Sequence, residues 1–203
     1  DAKVYDSASM TLEEIMRVIR AAVREGKTVA RLHTGDPSLY GALQEQLDWL
    51  EKHGIACEVI PGVSSMSAAA ALLKREYTLP GVSQTVIITR LAGRTPVPGK
   101  ERLSELAKHG SSMVIFLSVH MIREVVEQLR EGYRPDTPVA VVYRASWPDE
   151  QLIRGTLKDI AEKVEASGVG RMALILVGDF IECKYERSKL YDGDFEHSFR
   201  GKV

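Results

Sequence analysis

The 203-residue sequence has only two cysteines, Cys57 and Cys183, far apart and without CxxC or zinc-type spacing. That argues against a disulfide framework or a cysteine zinc site and fits reduced, structural thiols in a cytoplasmic protein. Net charge is nearly absent as well, since 27 Lys and Arg against 28 Asp and Glu leave −1. No global field draws nucleic acid or an anionic membrane, so an anionic ligand must be met by local charges. No apolar run reaches the roughly 18 residues of a membrane span, and the stretch after Asp1 does not read as a secretory signal. Missing too are the GxGxxG and GxxxxGK[ST] phosphate loops and the GxSxG elbow, which disfavours a dehydrogenase and a serine hydrolase.

What is present is a 44% hydrophobic chain, enough to fill real cores, with regular patterning. In 11–26, Leu12, Ile15, Met16, Ile19 and Val23 recur at helical spacing, with Thr11 as N-cap, Glu14 completing a capping box and Gly26 closing the helix. The segments 28–33, 55–60 and 85–90 read as strands. Residues 38–54 and 65–76 read as helices, the second rich in small residues. Alternation of this kind implies a parallel sheet covered on both faces. The stretch "LAGRTPVPGK" (91–100) has no apolar period and reads as a loop at a domain junction. Beyond it follow a strand at 112–118, a helix at 120–131, a strand at 138–145, an edge strand at 151–157, a helix at 157–166 and a strand at 171–178. The expected fold class is therefore α/β, with two consecutive domains, a parallel sheet in 1–90 and a mixed sheet in 91–182, and a polar tail over 183–203. The chain opens in mid-pattern, which leads us to expect that an N-terminal portion is missing.

Open α/β sheets bind ligands beyond the carboxyl ends of their strands. Three loops meet that condition: "HTGDPSLYG" (33–41), "PGVSSMSAA" (61–69) and "RASWPDE" (144–150). Asp36 sits at the N-terminus of the expected helix, where an ordinary cap and a ligand contact are both open readings. The same choice applies to Ser64 and Ser65. Arg90, Arg94, Arg144 and Arg154 flank loops and suit carboxylates, although solvated surface arginine is the ordinary alternative. His33 ends a strand without a second ligand at metal spacing, so a structural or cleft-lining role outweighs metal binding and no metal site is expected. His53, His109, His120 and His197 read as surface or helix-end residues.

Taken in order, "HTGDPSLYGA", "EVIPGVSSMSAAAA", "TRLAGRTPVP" and "VVYRASWPDE" strongly resemble the tetrapyrrole methylases, S-adenosylmethionine-dependent enzymes of corrin and sirohaem synthesis. The similarity covers essentially residues 1–181. "GRTPVP" and "YRASWPDE" resemble most the branch that methylates C11 of precorrin-4 or cobalt-precorrin-4 in cobalamin synthesis. The resemblance implies two α/β domains with the cofactor in the cleft between them, a tetrapyrrole substrate, S-adenosylhomocysteine as the second product and a homodimer. It implies cofactor contacts from Thr34, Gly35, Asp36, Leu39, Ser64, Ser65, Leu117 and Ala145, and from the strand around Ala173 and Leu174. The flat, carboxylate-rich substrate suits Arg94 and Arg144, with Arg90 beside them, and Tyr40, Tyr143 and Trp147 as packing surfaces. No general base is identified; Asp36 is the one candidate, and shaping the cofactor loop is its stronger reading. Other expectations within the superfamily are methylation of another corrin carbon or of uroporphyrinogen, or a diphthine synthase. A non-catalytic cofactor-binding protein is the alternative of a different class.

Overall fold

The computed structural model describes residues 2–196 and 198–200; His197 and the end of the polar tail lie outside the described residues. The chain divides into two compact units, 1–64 and 65–203.

In the first unit, α1 (Leu12–Arg24) begins with the capping box expected from sequence: the Glu14 amide donates to the Thr11 hydroxyl and the Thr11 amide to the Glu14 carboxylate. Gly26 follows with φ +70°. One face of α1 buries Met16 and Ile19 against Leu50 of α2 (Gln44–Lys52), with Trp49 and Ile55 alongside. Two expectations fail here. The helix predicted over 38–54 starts only at Gln44, because Tyr40 (φ 55°) and Ala42 (φ 46°) are left-handed. At the same turn the Gly41 backbone lies so close to the Pro37 carbonyl that a Cβ would come within 2.2 Å of its oxygen. The predicted strands 28–33 and 55–60 belong to no ladder among the described residues. Leu32 (82% exposed) and Ile60 (68%) show the reason: apolar, β-branched character marks a segment able to enter a sheet, but a strand also needs a neighbour to hydrogen-bond.

The second unit carries one five-stranded mixed sheet, ordered β1-β2-β5-β3-β4. Its strands are β1 (Val86–Arg90), β2 (Ser112–Phe116), β3 (Pro138–Tyr143), β4 (Gln151–Thr156) and β5 (Ala173–Val177). β1 and β2 are parallel and every other pairing is antiparallel. Residues 86–90, grouped by sequence with the parallel strands of 1–90, thus form the edge of this mixed sheet.

Alternation along the strands fills two cores. Met113, Ile115, Val139, Val141, Ile175 and Val177 face α4 (Leu103–Ala107), α5 (Ile122–Leu129) and α6 (Ile160–Ser167). Val114, Ala140, Val142, Leu174 and Leu176 face Ala69 and Leu73 of α3 (Ser65–Leu73), together with Phe180 and Ile181. The small residues of α3 let that helix lie close to the sheet, and Lys74 (φ 54°) ends it.

Candidate functional site

In the first unit, Asp36 joins two loops that sequence reading singled out separately. Its Oδ1 accepts the Ser38 amide at 2.9 Å and the Ser38 hydroxyl, while Oδ2 accepts the Gly62 amide at 2.9 Å. The "GDP" turn is thereby fastened to the "PGV" turn. The fit is close, because a Cβ on Gly62 would stand 2.0 Å from the Gly35 carbonyl oxygen. Gly35, at φ +67°, holds a conformation that suits glycine. Thr34, Gly35 and Leu39 stand on one loop and Ser64 closes the other, with Ser65 opening α3.

Hydrogen bonds from Ser38, side chain first and then amide, and from the Gly62 amide hold the Asp36 carboxyl below its ordinary pKa of 3.8. A carboxylate with a depressed folded-state pKa keeps its tie at every pH above the unfolded value and loses it only as pH falls through the folded one. Asp36 is therefore ionised and committed at neutral pH, an arrangement that suits a loop staple far better than a general base. Nearby, burial first and Arg31 second lower the His33 pKa, so its ring is neutral; Nε2 is enclosed without a hydrogen-bond partner.

The second unit supplies a different kind of site. Because β2 and β3 both run antiparallel to β5, the carboxyl ends of β1, β2 and β3 and the amino ends of β4 and β5 share one edge. Four non-glycine residues at this edge have positive φ: Leu117 (54°) after β2, Arg144 (46°) and Ser146 (70°) after β3, and Met172 (55°) before β5. Such backbone costs of order 1 kcal/mol each and clusters where a protein builds a site. Leu117 is 63% exposed and Met172 58%, so solvent-facing apolar side chains stand on strained backbone. The Arg144 amide donates to the Met172 carbonyl at 3.0 Å and carries the β3–β5 ladder one step past its regular end. Ala145 lies between two of the strained residues, and Ala173 and Leu174 begin the neighbouring strand.

Tyr143, Arg144 and Trp147 are brought together. The Arg144 guanidinium carbon lies 4.2 Å from the centre of the Trp147 ring and 5.8 Å from that of Tyr143. Its Nη1 donates to Asp149 at 2.6 Å, and the Glu150 carboxylate accepts the Ser146 amide at 2.9 Å. The "RASWPDE" loop thus carries its own counter-ion, so a substrate carboxylate at Arg144 would compete with or join Asp149. Arg94 is exposed on the 91–98 loop. Arg154 lies within β4, opposite Ala140, away from this edge. Tyr40 stands on the first unit's loop, with positive φ and half exposed.

Sequence reading did not single out Met172, which lay hidden inside a strand expected over 171–178, nor the counter-ion Asp149. Ser118 was also missed. It is fully buried, accepts the Leu91 amide at 2.8 Å and donates to the Phe116 carbonyl at 2.6 Å, clasping the ends of the two parallel strands.

The strained, apolar carboxyl edge of the sheet, with its arginine and aromatic side chains, and separately the Gly-Asp-Pro loop stapled to a Pro-Gly-Val loop in the first unit, are of the kind found in small-molecule enzymes of the open-sheet class. Residues 1–161 match the profile of the Tetrapyrrole (Corrin/Porphyrin) Methylases, and the chain belongs to that family. It is 62% identical to the cobalt-precorrin-4 C(11)-methyltransferase of Methanocaldococcus jannaschii, over 98% of this chain and 78% of that protein. It is 47% identical to the precorrin-4 C(11)-methyltransferase of Pseudomonas aeruginosa, over 98% and 80%. Among solved structures, it superposes on a cobalt-precorrin-4 methyltransferase described as a cobalamin biosynthetic enzyme with a TM-score of 0.87 and 44% identity, over 90% of this chain and 77% of that one. A Thermus thermophilus uroporphyrin-III C-methyltransferase complexed with S-adenosylhomocysteine gives 0.69 and 29%, over 84% and 74%.

Proposed function

We propose that the protein transfers a methyl group from S-adenosylmethionine to C11 of cobalt-precorrin-4 or precorrin-4 in cobalamin synthesis, releasing S-adenosylhomocysteine and a proton. The observation that carries this reading is the strained carboxyl edge, which presents the very loops that resemble the C11 branch. Thr34, Gly35, Asp36, Leu39, Ser64 and Ser65, and at the sheet edge Leu117, Ala145, Ala173 and Leu174, are the cofactor contacts in this reading. The exposed apolar side chains of Leu117 and Met172 at the sheet edge support the reading, as does, within the first unit, the close main-chain packing of the Gly62 turn on the Gly35 carbonyl.

The cofactor supplies an electrophilic methyl group, so the protein needs no nucleophile of its own and gains rate by alignment and exclusion of water. Asp36 holds the two loops in register, and its negative charge is compatible with a cationic sulfonium and ammonium. Arg94 takes substrate carboxylate, while Arg144 shares its fork between Asp149 and substrate. Tyr143 and Trp147, with Tyr40, offer apolar faces to a flat ring. A cytoplasmic homodimer accompanies this reading on family resemblance, and sedimentation checks the oligomer.

Incubation with S-adenosylmethionine and cobalt-precorrin-4 should yield a product heavier by one methylene, with the new methyl at C11. Cofactor binding by calorimetry without any mass gain would instead favour the non-catalytic alternative. Replacing Arg94 and Arg144 together by alanine should weaken tetrapyrrole binding about a hundredfold, since each charge-assisted contact contributes roughly a factor of ten, and should leave cofactor affinity unchanged; an unaltered tetrapyrrole titration would remove both from the site. At Leu117, glycine relieves the left-handed backbone but gains freedom in the unfolded chain, so Leu117→Gly should move stability by less than about 1 kcal/mol. Loss of the exposed leucyl side chain should nonetheless weaken S-adenosylmethionine severalfold in the same titration.

A further inference from the structure

Arg90 and Arg94 stand on the same loop-bearing end of β1 and differ in what they touch. Arg90 Nη1 donates to the carbonyls of Leu91 at 3.3 Å and Thr95 at 3.1 Å, and Nη2 donates to the carbonyl of Pro96 at 2.8 Å. The Thr95 carbonyl also receives the Gly93 amide at 3.2 Å. One guanidinium therefore gathers main-chain oxygens from both sides of Arg94. Arg94 itself is exposed.

The loop 91–98 needs such a device. It contains Pro96 and Pro98, which have no amide to donate, and it lies beyond the last β1–β2 pair, Arg90 with Phe116. Its carbonyls must find donors elsewhere. A planar guanidinium can serve several at once, whereas an ammonium is a single point charge on a flexible stem. The root of the loop is independently fixed: Leu91 is buried, and its amide is held by the Ser118 hydroxyl. Beneath the bend, a Cβ on Gly93 would stand 3.4 Å from the Met121 methyl. With its root anchored by Ser118, the loop is tied on both sides of Arg94 by the Arg90 guanidinium.

We infer that Arg90 is a positioning residue for substrate recognition: it binds no substrate carboxylate itself but fixes the loop on which Arg94 meets one. The inference rests on the reading of Arg94 as a substrate contact. It revises the expectation that Arg90 is a substrate ligand in its own right, because both of its Nη groups are already committed to carbonyls.

The test uses the full chain and two titrations, one with cobalt-precorrin-4 and one with S-adenosylmethionine, on Arg90→Lys, Arg94→Ala and the double variant. Arg90→Lys keeps the charge but not the fork. It should weaken tetrapyrrole binding by up to about tenfold, the whole contribution of the Arg94 contact, with cofactor affinity and thermal midpoint unchanged. In the Arg94→Ala background it should add nothing. Undiminished tetrapyrrole affinity in Arg90→Lys, or a loss that persists in full without Arg94, overturns the inference while leaving Arg94 as a ligand. If Arg94→Ala alone changes nothing, the reading of Arg94 falls and the inference falls with it. Amide exchange gives a readout independent of substrate: in Arg90→Lys the amides of Gly93, Arg94 and Thr95 should exchange faster, with those of 112–116 unchanged. Equal protection of the loop in both proteins overturns the proposal.

Discussion

Gly62→Ala is expected to weaken S-adenosylmethionine binding about tenfold to a hundredfold, the range set by overpacking a well-fitted site. The Cβ would lie 2.0 Å from the Gly35 oxygen, 3.0 Å from its carbonyl carbon and 3.3 Å from the Asp36 Cα. Every one of these atoms is main chain, so no side chain can swing aside, and the two turns must separate. Separation breaks the bond from the Gly62 amide to the Asp36 carboxylate, the fastening that keeps the two loops in register. Gly170→Ala is the control, because a Cβ there meets nothing within 4 Å and the backbone is not left-handed; its cofactor affinity should match the parent. Calorimetry on the two variants decides the matter. Equal affinity for both would detach the Asp36 staple from cofactor binding.

The difference between these two glycines is invisible in the sequence, and it illustrates where sequence reading stops. Thr11 with Glu14 announced the start of α1 because a capping box is a local interaction, complete within four residues. The runs 138–143 and 173–177 announced themselves as strands because both faces of the mixed sheet are covered. The runs 28–33 and 55–60 have the same apolar character, yet pairing depends on residues distant in the chain, which character alone does not report. Five-residue α4 (Leu103–Ala107) is too short to show a period. Of the candidate loops, 144–150 was legible because it follows the end of β3, and the others because their motifs occur in family order. Their internal wiring was not. Nothing in "TRLAGRTPVP" says that the first arginine faces its own loop's carbonyls. In "RASWPDE" the arginine and the aspartate are both plain to see, but their ion pair depends on a left-handed turn at Arg144 and Ser146. Backbone strain at Leu117 and Met172 has no compositional signature, since leucine and methionine are residues that propensity never assigns there.

Phe180→Ala is expected to cost the second unit about 3–5 kcal/mol, lowering its thermal midpoint by about 10 °C for a chain of this size. Phe180 is fully buried in the short 3-10 turn Asp179–Ile181 that follows β5. It fills the face of the sheet formed by Val114, Ala140, Leu174 and Leu176, against Ala69 and Leu73 of α3. Its ring meets Tyr77 with centroids 5.0 Å apart and planes tilted by 52°. Tyr77 is itself a fixed point. Burial raises its pKa, so it stays protonated and donates to the Met66 carbonyl at 2.7 Å, while its own carbonyl accepts the Ser112 hydroxyl at 2.6 Å. A cavity at Phe180 is therefore walled by a sheet and by a tyrosine held at both ends, neither of which can move in to fill it. The full cavity cost is expected for that reason, at the upper part of the range for large-to-small changes. Phe180→Leu leaves most of the volume occupied and should cost under about 1.5 kcal/mol. Urea unfolding of the two variants measures the gap; a Phe180→Ala loss as small as that of Phe180→Leu would mean that α3 collapses onto the sheet, and that the Tyr77 bonds do not hold it in place.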